Sequence, residues 1–542
     1  MAGAGLALAV ALFSALLFGR LAWPLLWQDE GETAMFARRV LEYGYPKVHG
    51  ERNVVYQFAF DVARGVKERH DAYIGTTWGH FYFAAPGVAL ADRTANLRRK
   101  TFLMRLPFAL AGATGVALAL VGVVPAVKRR GPRLAVAAAH FALAALCISL
   151  VLHLREVRYY ALATLLASAL FAVHSARFAY GRIAWRSWAL LTPLLLFALY
   201  HTFFVGFAVF LAALALDRLV AARGVDPEQR TRAFARDLAP LAAACLAVAP
   251  FVAYFEHVQT ARAFAEHYAQ GPADLAQNVL LGLRYLARYD YLVPAAGLAL
   301  LGSAAARTQP GPSDDPGAPA RRFLWILLAV NLLANSANPL LYGRYFVALA
   351  PLGIALVLLE AIRLGSVARR RPAIGLLAAA VLAAGVLPKT PDVAGRLREL
   401  REPVQGPLDF AIPFLAERYP DTRRLIIATN YESYPLMTYL GSHVIVGLSG
   451  ANLLRDRTLD PDVVIPRKSW PSRQGVLAEF LSRGEYQRHV LPVLDAPYNT
   501  IPELGRWPSV PAPHAFETRR PAGEGQALEI FTRVGSGAAA PL

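Results

Sequence analysis

Long apolar runs, separated by short polar connections, dominate the first 388 residues of the chain. A helix needs about 20 apolar residues to cross the hydrocarbon core of a bilayer. The pattern predicts about 11 membrane-spanning helices, give or take one because the fifth run is short. The runs cover residues 4–26, 106–127, 134–154, 157–176, 188–201, 203–220, 238–255, 289–306, 323–341, 345–362 and 373–388.

Lysine and arginine residues are concentrated in every second connection. Connections rich in these residues stay in the cytoplasm, so the even-numbered ones and the N-terminus are predicted to be cytoplasmic. Segments 28–105 and 389–542 then lie on the outer face. The basic residues of the cytoplasmic loops include Lys128, Arg130, Arg182, Arg230, Arg322 and Arg370. These loops account for the net charge of +18, which therefore calls for no nucleic-acid partner.

The composition also indicates a membrane protein. Hydrophobic residues make up 56% of the chain and charged residues 17%, whereas an average soluble domain has about a quarter charged residues. These figures exclude a water-soluble globule, and the high hydrophobicity excludes a disordered chain. Cys147 and Cys245 both lie in apolar runs, which excludes a disulfide framework.

The two outer segments have other patterns. Apolar residues recur at helical spacing from Glu30 to Gly44, which predicts a helix at the membrane interface, and the aromatic stretch from Trp78 to Phe83 predicts a second interfacial segment. In the tail, strands are predicted at 425–428, 444–446, 463–465 and 528–531, with a short helix at 432–440. We therefore expect a multi-spanning α-helical membrane module over residues 1–388 and a soluble α/β domain over residues 389–542.

Four polar clusters follow the ends of predicted spans, where ionisable groups are costly and therefore informative. The predicted topology puts all four on the outer face, although they are far apart in sequence. They are Asp29 and Glu30 in WQDEGE, Arg155, Glu156 and Arg158 in HLREVRYY, His201 in LYHT, and Arg344 in NPLLYGRYF. Carboxylates, arginines and a histidine at one membrane surface suit an anionic, lipid-attached substrate.

Each cluster also has an ordinary structural explanation. Adjacent acids after a helix are commonly the start of a solvated loop, and Arg-Glu-x-Arg in a tight turn is commonly a salt-bridged hairpin. A histidine at a helix end, such as His201, is more often structural than functional. Arg344 alone is equally compatible with a side chain that reaches lipid headgroups. The joint pattern favours the functional interpretation.

These segments resemble the GT-C fold glycosyltransferases of the protein O-mannosyltransferase type, glycosyltransferase family 39, which includes bacterial aminoarabinose transferases of lipid A. The resemblance rests on DEGETAMFAR from Asp29, RLPFALAGATG from Arg105, REVRYYAL from Arg155, the His201-Thr202 turn and RYFVALAP from Arg344. It implies an enzyme that takes a sugar from a polyprenyl-phosphate donor at the outer leaflet. It also implies transfer with inversion to an acceptor hydroxyl on a lipid, a glycan or a protein.

The chemistry of such a transfer gives the candidate residues their expected roles. A carboxylate is the plausible base for the attacking hydroxyl; Asp29 is the first choice, and Glu30 or Glu156 orients the acceptor or assists. Arginine offers fixed, bidentate donors for the charge on the departing phosphate. The candidate phosphate ligands are Arg344, Arg158 and Arg105, in that order, followed by His201 for the phosphate or the sugar.

No cofactor is expected, because the sugar leaves from a lipid phosphate and no nucleotide is needed. No cluster shows dedicated metal-ligand spacing, and no metal is assigned. Asp29, Glu156 and His201 nevertheless form a set that could hold a divalent ion.

Two rival classes of protein stay open. A transporter or flippase for lipid-linked sugars would place charges near the bilayer midplane, where the main polar residues here are Asn331, Asn335 and Asn338. A non-catalytic membrane subunit would use the outer α/β domain as a binding module. Alanine- and arginine-rich usage is typical of a GC-rich bacterial genome, so the expected location is a bacterial inner membrane, with the N-terminus cytoplasmic and the C-terminal domain outside.

Overall fold

The protein is largely helical, with a five-stranded sheet near the C-terminus, in the part of the chain that the computed structural model describes. That part comprises residues 2–50, 53, 58–59, 62–63, 66–224, 226–268, 271–307, 315–338, 341–447, 453–468, 470, 472–496, 501–504 and 514–535. The helices are α1 (Ala2–Phe18), α2 (Gln28–Tyr43), α3 (Gly79–Ala91), α4 (Leu97–Ala119), α5 (Arg130–Leu146), α6 (Ile148–His153), α7 (Tyr159–Phe178), α8 (Trp185–Thr202), α9 (Phe204–Ala222), α10 (Pro227–Tyr254), α11 (His257–Tyr268), α12 (Pro272–Tyr289), α13 (Leu292–Arg307), α14 (Ala318–Ser336), α15 (Ala350–Ala368), α16 (Pro372–Val386), α17 (Thr390–Arg401), α18 (Leu408–Arg418), α19 (Ser433–Leu440), α20 (Leu453–Asp456) and α21 (Gln474–Arg483). The strands are β1 (Phe58–Ala59), β2 (Val62–Ala63), β3 (Val66–Lys67), β4 (Ala72–Tyr73), β5 (Ile426–Thr429), β6 (His443–Val446), β7 (Val463–Ile465), β8 (Tyr486–Leu494) and β9 (Ala527–Arg533).

Within the described residues, 6 helical stretches are long and apolar enough to cross a membrane. They are Leu97–Ala126, Tyr159–Phe178, Phe204–Ala222, Gln229–Tyr254, Gly343–Gly365 and Pro372–Arg401. Two shorter apolar helices, Ala2–Phe18 and Leu292–Ala305, accompany them. The chain is thus a multi-pass membrane protein, while the expected count of about 11 spans stays a prediction. The predicted span 134–154 is divided, because α5 ends before Cys147 and α6 begins after it.

The membrane helices pack around one apolar core that continues into the C-terminal region. Helix α1 packs against α5, α4 against α7, and α14 against α9. Buried side chains of this core range from Leu16 and Phe108 in the membrane helices to Ile412 and Leu528 near the C-terminus. Burial of this apolar surface therefore joins the two parts of the chain rather than leaving the tail as a separate body.

The predicted interfacial helix is α2, which is two residues longer at its start than the apolar spacing indicates. The chain is extended at Trp27, and Asp29 and Glu30 lie in the first turn. Negative charge there is stabilised by the helix dipole. The helix ends at Gly44, whose φ of 82° lets its N–H bond the carbonyl of Val40. This short helix carries the acids of the first cluster at its N-terminus.

The C-terminal sheet has the strand order β6-β5-β7-β9-β8, in which β5 is parallel to β6 and β7, and β9 is antiparallel to its neighbours. The four predicted strands and the helix α19 are present, each within about two residues of its expected bounds. The edge strand β8 is absent from the predictions. Polar residues and Pro492 interrupt its pattern, and the register shifts between Leu491 and Leu494, where a strand tolerates proline.

The C-terminal region contacts α2 directly through helix α19. Gly31 of α2 faces Pro435 so closely that an added Cβ would lie 2.6 Å from the Pro435 nitrogen. Thr438 donates to the carbonyl of Gly31, and the Tyr439 hydroxyl accepts a hydrogen bond from the Leu26 backbone N–H. The α/β region thereby fixes the position of the helix that carries Asp29.

Candidate active site

Three of the four predicted clusters meet around the carboxylate of Asp29. Its Oδ2 lies 3.4 Å from Nη2 of Arg158 and 3.7 Å from Nη2 of Arg344. The side chain of Asp29 is 23% exposed, whereas those of Arg158 and Arg344 are 14% and 13% exposed. A carboxylate that reaches solvent is thus flanked by two largely buried guanidinium groups, at the starts of three different elements.

Arg158 is held by a second acid of α2. The residue is extended and directly precedes α7, and its Nη1 lies 2.8 Å from Oε2 of Glu32. The Tyr73 hydroxyl donates to the other oxygen of Glu32 at 2.7 Å. Burial raises the pKa of Glu32, although Arg158 acts in the opposite direction. Glu32 thus orients the guanidinium that faces Asp29.

Arg344 lies at the start of a short turn that leads into α15. The preceding Gly343 lies against the ring of Tyr285, and an added Cβ would overlap that ring, so this approach requires glycine. The guanidinium carbon of Arg344 lies 4.3 Å from the centre of the Tyr342 ring and 5.3 Å from that of Trp27. The two rings stabilise the cation by cation–π contacts and direct the side chain toward Asp29.

Glu503, from the C-terminal region, holds Arg344 from the other side. Its Oε1 accepts a hydrogen bond of 2.9 Å from the backbone N–H of Arg344, and its Oε2 lies 3.6 Å from Arg344 Nε. Burial alone would raise the pKa of Glu503, but contacts with His153 and Arg344 hold it below its usual value. The sequence pattern does not predict this residue, since the tail offers no motif that marks it.

Glu30 and Arg105 form a buried ion pair beneath the cluster. Arg105 donates through Nε and Nη2 to the two oxygens of Glu30 at 2.8 and 2.6 Å, and the side chains are 5% and 0% exposed. Glu30 also accepts from the backbone N–H of Val157. The pair therefore joins α2, α4 and the α6–α7 connection. Its geometry favours a structural role over the catalytic and phosphate-binding roles that the sequence suggests.

Glu156 is buried behind the cluster beside His153. The distance from His153 Nε2 is 4.0 Å to Glu156 and 3.8 Å to Glu503. Among the described residues, neither oxygen of Glu156 has a hydrogen-bond partner. Burial raises the pKa of Glu156 to about 8, although His153 acts in the opposite direction. Glu156 is therefore largely protonated at neutral pH, which suits a hydrogen-bond donor better than a base.

This pKa predicts a pH dependence of stability. Folded protein keeps the Glu156 proton up to about pH 8, whereas the unfolded chain loses it near a pKa of about 4.3. Between these values the folded state binds more protons, so stability falls as pH rises and levels off above about pH 8. We therefore expect the midpoint of thermal unfolding to fall as pH rises, and to fall less steeply in Glu156→Gln. An unchanged slope in the variant would assign the dependence to other groups.

His201 lies apart from the cluster. It occupies the last turn of α8, where its ring lies 4.5 Å from the ring centres of both Phe197 and Phe251 and 5.1 Å from that of Tyr200. No contact that the structure describes joins His201 to Asp29. An aromatic packing role accounts for this histidine.

The possible metal set of Asp29, Glu156 and His201 is not assembled. In the described part of the chain there is no group of three or more His, Cys, Asp or Glu residues arranged to hold a metal ion. The absence of a metal from the reaction stays a prediction.

Comparison with solved structures identifies a fold. The chain is similar to ArnT from Cupriavidus metallidurans bound to undecaprenyl phosphate, with a TM-score of 0.55 and 15% identity over 99% of this chain and 98% of that one. The apo state of the same protein gives a TM-score of 0.53 at the same identity and coverage. The archaeal oligosaccharyltransferase AglB from Archaeoglobus fulgidus, in complex with an inhibitory peptide and a dolichol-phosphate, has a TM-score of 0.47, with 10% identity over 90% of this chain and 72% of that one.

No family model and no curated protein matches the chain. The likeness to ArnT over almost the whole of both chains confirms the GT-C glycosyltransferase fold that the sequence resemblance implies. At this identity it concerns the fold, and function has to be argued from the site itself.

Proposed function

We propose that the protein is a membrane glycosyltransferase. It takes a sugar from a polyprenyl-phosphate donor and transfers it, with inversion, to an acceptor hydroxyl on a lipid, a glycan or a protein, at the outer face of a bacterial inner membrane. The observation that supports this most directly is the solvent-reaching carboxylate of Asp29 between Arg158 and Arg344. The GT-C fold and the undecaprenyl phosphate bound by the similar ArnT support the choice of donor.

Asp29 is the general base in this proposal, because it is the most accessible acid of the cluster. Glu32 is 11% exposed, Glu156 3%, Glu503 1% and Glu30 0%, against 23% for Asp29. A base must come within hydrogen-bond reach of the hydroxyl that it deprotonates. Only an acid that an incoming acceptor can approach meets this condition.

Arg158 and Arg344 bind the donor phosphate in this proposal. Their distances to Asp29, 3.4 and 3.7 Å, are longer than those of a tight charge-assisted hydrogen bond. A phosphate that binds both guanidinium groups therefore replaces weak contacts with stronger ones and releases Asp29 to act as the base. As the sugar leaves, negative charge develops on the phosphate, where the two fixed guanidinium groups stabilise it.

Turnover of a lipid-linked sugar tests the proposal. Purified protein in liposomes is given a polyprenyl-phosphate donor whose sugar is labelled, together with bacterial envelope lipids as acceptors. The expected result is release of polyprenyl phosphate together with label on a new acceptor. Movement of intact donor between leaflets without release would instead indicate a flippase. If the sugar is not transferred and the donor does not move, the result would favour a non-catalytic subunit.

The proposed orientation makes a separate prediction. A reporter at residue 315 should be accessible only from the cytoplasm, and one at residue 520 only from the outside. Both positions lie among the described residues, in the connection before α14 and before β9. Labelling of single cysteines at these positions in intact cells shows on which side of the membrane each position lies. A cytoplasmic residue 520 would mean that the number of spans is wrong by an odd number.

A further inference from the structure

A cavity lies where the end of α1, the α6–α7 connection and α17 meet. Its volume is about 30 Å³. Asp29, Arg158 and Arg344 do not line it, so it is distinct from the cluster proposed to bind the donor. Four arginines line the cavity: Arg20, Arg105, Arg155 and Arg396. Arg20 is exposed, which places one edge of the cavity at the protein surface.

Two of these arginines are already neutralised by carboxylates. Arg105 binds Glu30 through two hydrogen bonds. Arg396 donates to Glu399 at 2.8 Å, and Glu399 also lies 2.6 Å from the ring of His514. These pairs leave no carboxylate oxygen of Glu30 or Glu399 without a partner. The wall therefore carries guanidinium groups whose charges are locally balanced.

Among the described residues, neither Arg155 nor Arg20 pairs with a carboxylate, but Arg20 is exposed and donates to the backbone carbonyls of Leu400 and Arg401, whereas Arg155 is buried. Arg155 is 5% exposed, and its Nη2 donates only to the backbone carbonyls of Arg20, at 2.5 Å, and Trp23, at 3.4 Å. The buried side chain of Glu156 also lines the cavity, and its oxygens lack hydrogen-bond partners among the residues described. A buried guanidinium without a counter-ion is costly. The buried guanidinium of Arg155 thus has no paired carboxylate among the described residues.

We propose that this cavity is an anion-binding site in which Arg155 holds a phosphate group. The planar guanidinium offers two parallel donors that match phosphate oxygens. The guanidinium of Arg20, which also has no carboxylate partner among the described residues, lines the same cavity and favours a doubly charged phosphate over a carboxylate. The group arrives either as free phosphate or as the phosphate monoester of a lipid. The site stands whether or not the protein transfers a sugar.

Thermal unfolding of the full-length protein in nanodiscs tests the site. Because Arg158 and Arg344 are proposed to bind phosphate together, the measurement uses the Arg344→Ala protein, in which that pair is broken, with and without Arg155→Gln. In phosphatidylcholine nanodiscs, inorganic phosphate should raise the unfolding midpoint of Arg344→Ala by about 2 °C or more, while Arg155→Gln should remove this gain. Acetate at equal ionic strength is the control. A second set of nanodiscs containing phosphatidic acid distinguishes a lipid phosphate from the free ion.

Two further variants keep the test independent of any folding defect in Arg155→Gln. Val404 lines the cavity and is 2% exposed, so Val404→Phe fills the space without changing a charge and should remove the response to phosphate. Arg155→Lys keeps the charge and should retain part of the response to phosphate. The proposal is overturned if Arg155→Gln responds as its parent does, if acetate stabilises as well as phosphate, or if neither form of phosphate stabilises the protein.

Discussion

Replacement of Asp29 by Asn should lower turnover by about a hundredfold or more while donor binding is kept. Asparagine has nearly the same size, so the contacts of α2 with α19 are preserved, but it accepts no proton from the acceptor hydroxyl. Donor binding should not weaken, because Asp29 competes with the phosphate for Arg158 and Arg344. Initial rates with labelled donor, together with equilibrium binding of that donor, measure the two effects separately.

A matched control comes from the other end of the same helix. Glu42 is exposed and contacts none of the site residues named above, so Glu42→Gln should keep the rate of the parent protein. Near-normal turnover of Asp29→Asn would contradict the assignment. In that case the base would have to be sought among the other acids, first Glu32, which is the next most exposed acid of the cluster.

Those parts of the fold that follow from local pattern were predictable from the sequence. Helix α2 follows from apolar residues at helical spacing, and strands β5, β6, β7 and β9 are short apolar runs bounded by polar residues. The edge strand β8 lacks that signal, because a strand with one exposed face and a proline at a bulge has no clean alternation. The membrane boundary of each span depends on packing, which periodicity does not encode.

The candidate site was partly predictable, because charged residues at the ends of membrane spans are costly and therefore mark a site. That rule selected Asp29, Arg158 and Arg344, which the structure brings together. Glu32 was within reach of the same reasoning, since residues three apart share a helix face and it follows Asp29 by three. The sequence pattern does not distinguish a partly exposed acid such as Asp29 from one like Glu30 that is fully buried in an ion pair.

Glu503 shows where the sequence signal ends. Its contact with Arg344 joins residues 159 positions apart, and the segment around it carries no motif. Only the packing of the C-terminal region against the membrane helices creates the contact. The site is therefore built from both parts of the chain, whereas the sequence predicts it from the membrane module alone.

Arg344 provides the second large effect, because lysine separates charge from geometry at this position. We expect Arg344→Lys to lower turnover about tenfold or more, and Arg344→Ala about a hundredfold or more, with donor affinity reduced in both. Lysine keeps the positive charge but loses the planar fork that binds two phosphate oxygens. It also loses much of the stacking on Tyr342 and Trp27. Turnover and donor binding, measured side by side, quantify both losses.

The control is Arg98, which also lies over an aromatic ring, that of Trp23, and pairs with Asp409. It contacts neither Asp29 nor Arg344 in the described structure, so Arg98→Lys should leave turnover close to that of the parent. If Arg344 merely reached toward lipid headgroups, lysine would do so equally well, and Arg344→Lys would retain full activity. That result would remove Arg344 from the site, and with it the argument that Asp29 lies between two phosphate ligands.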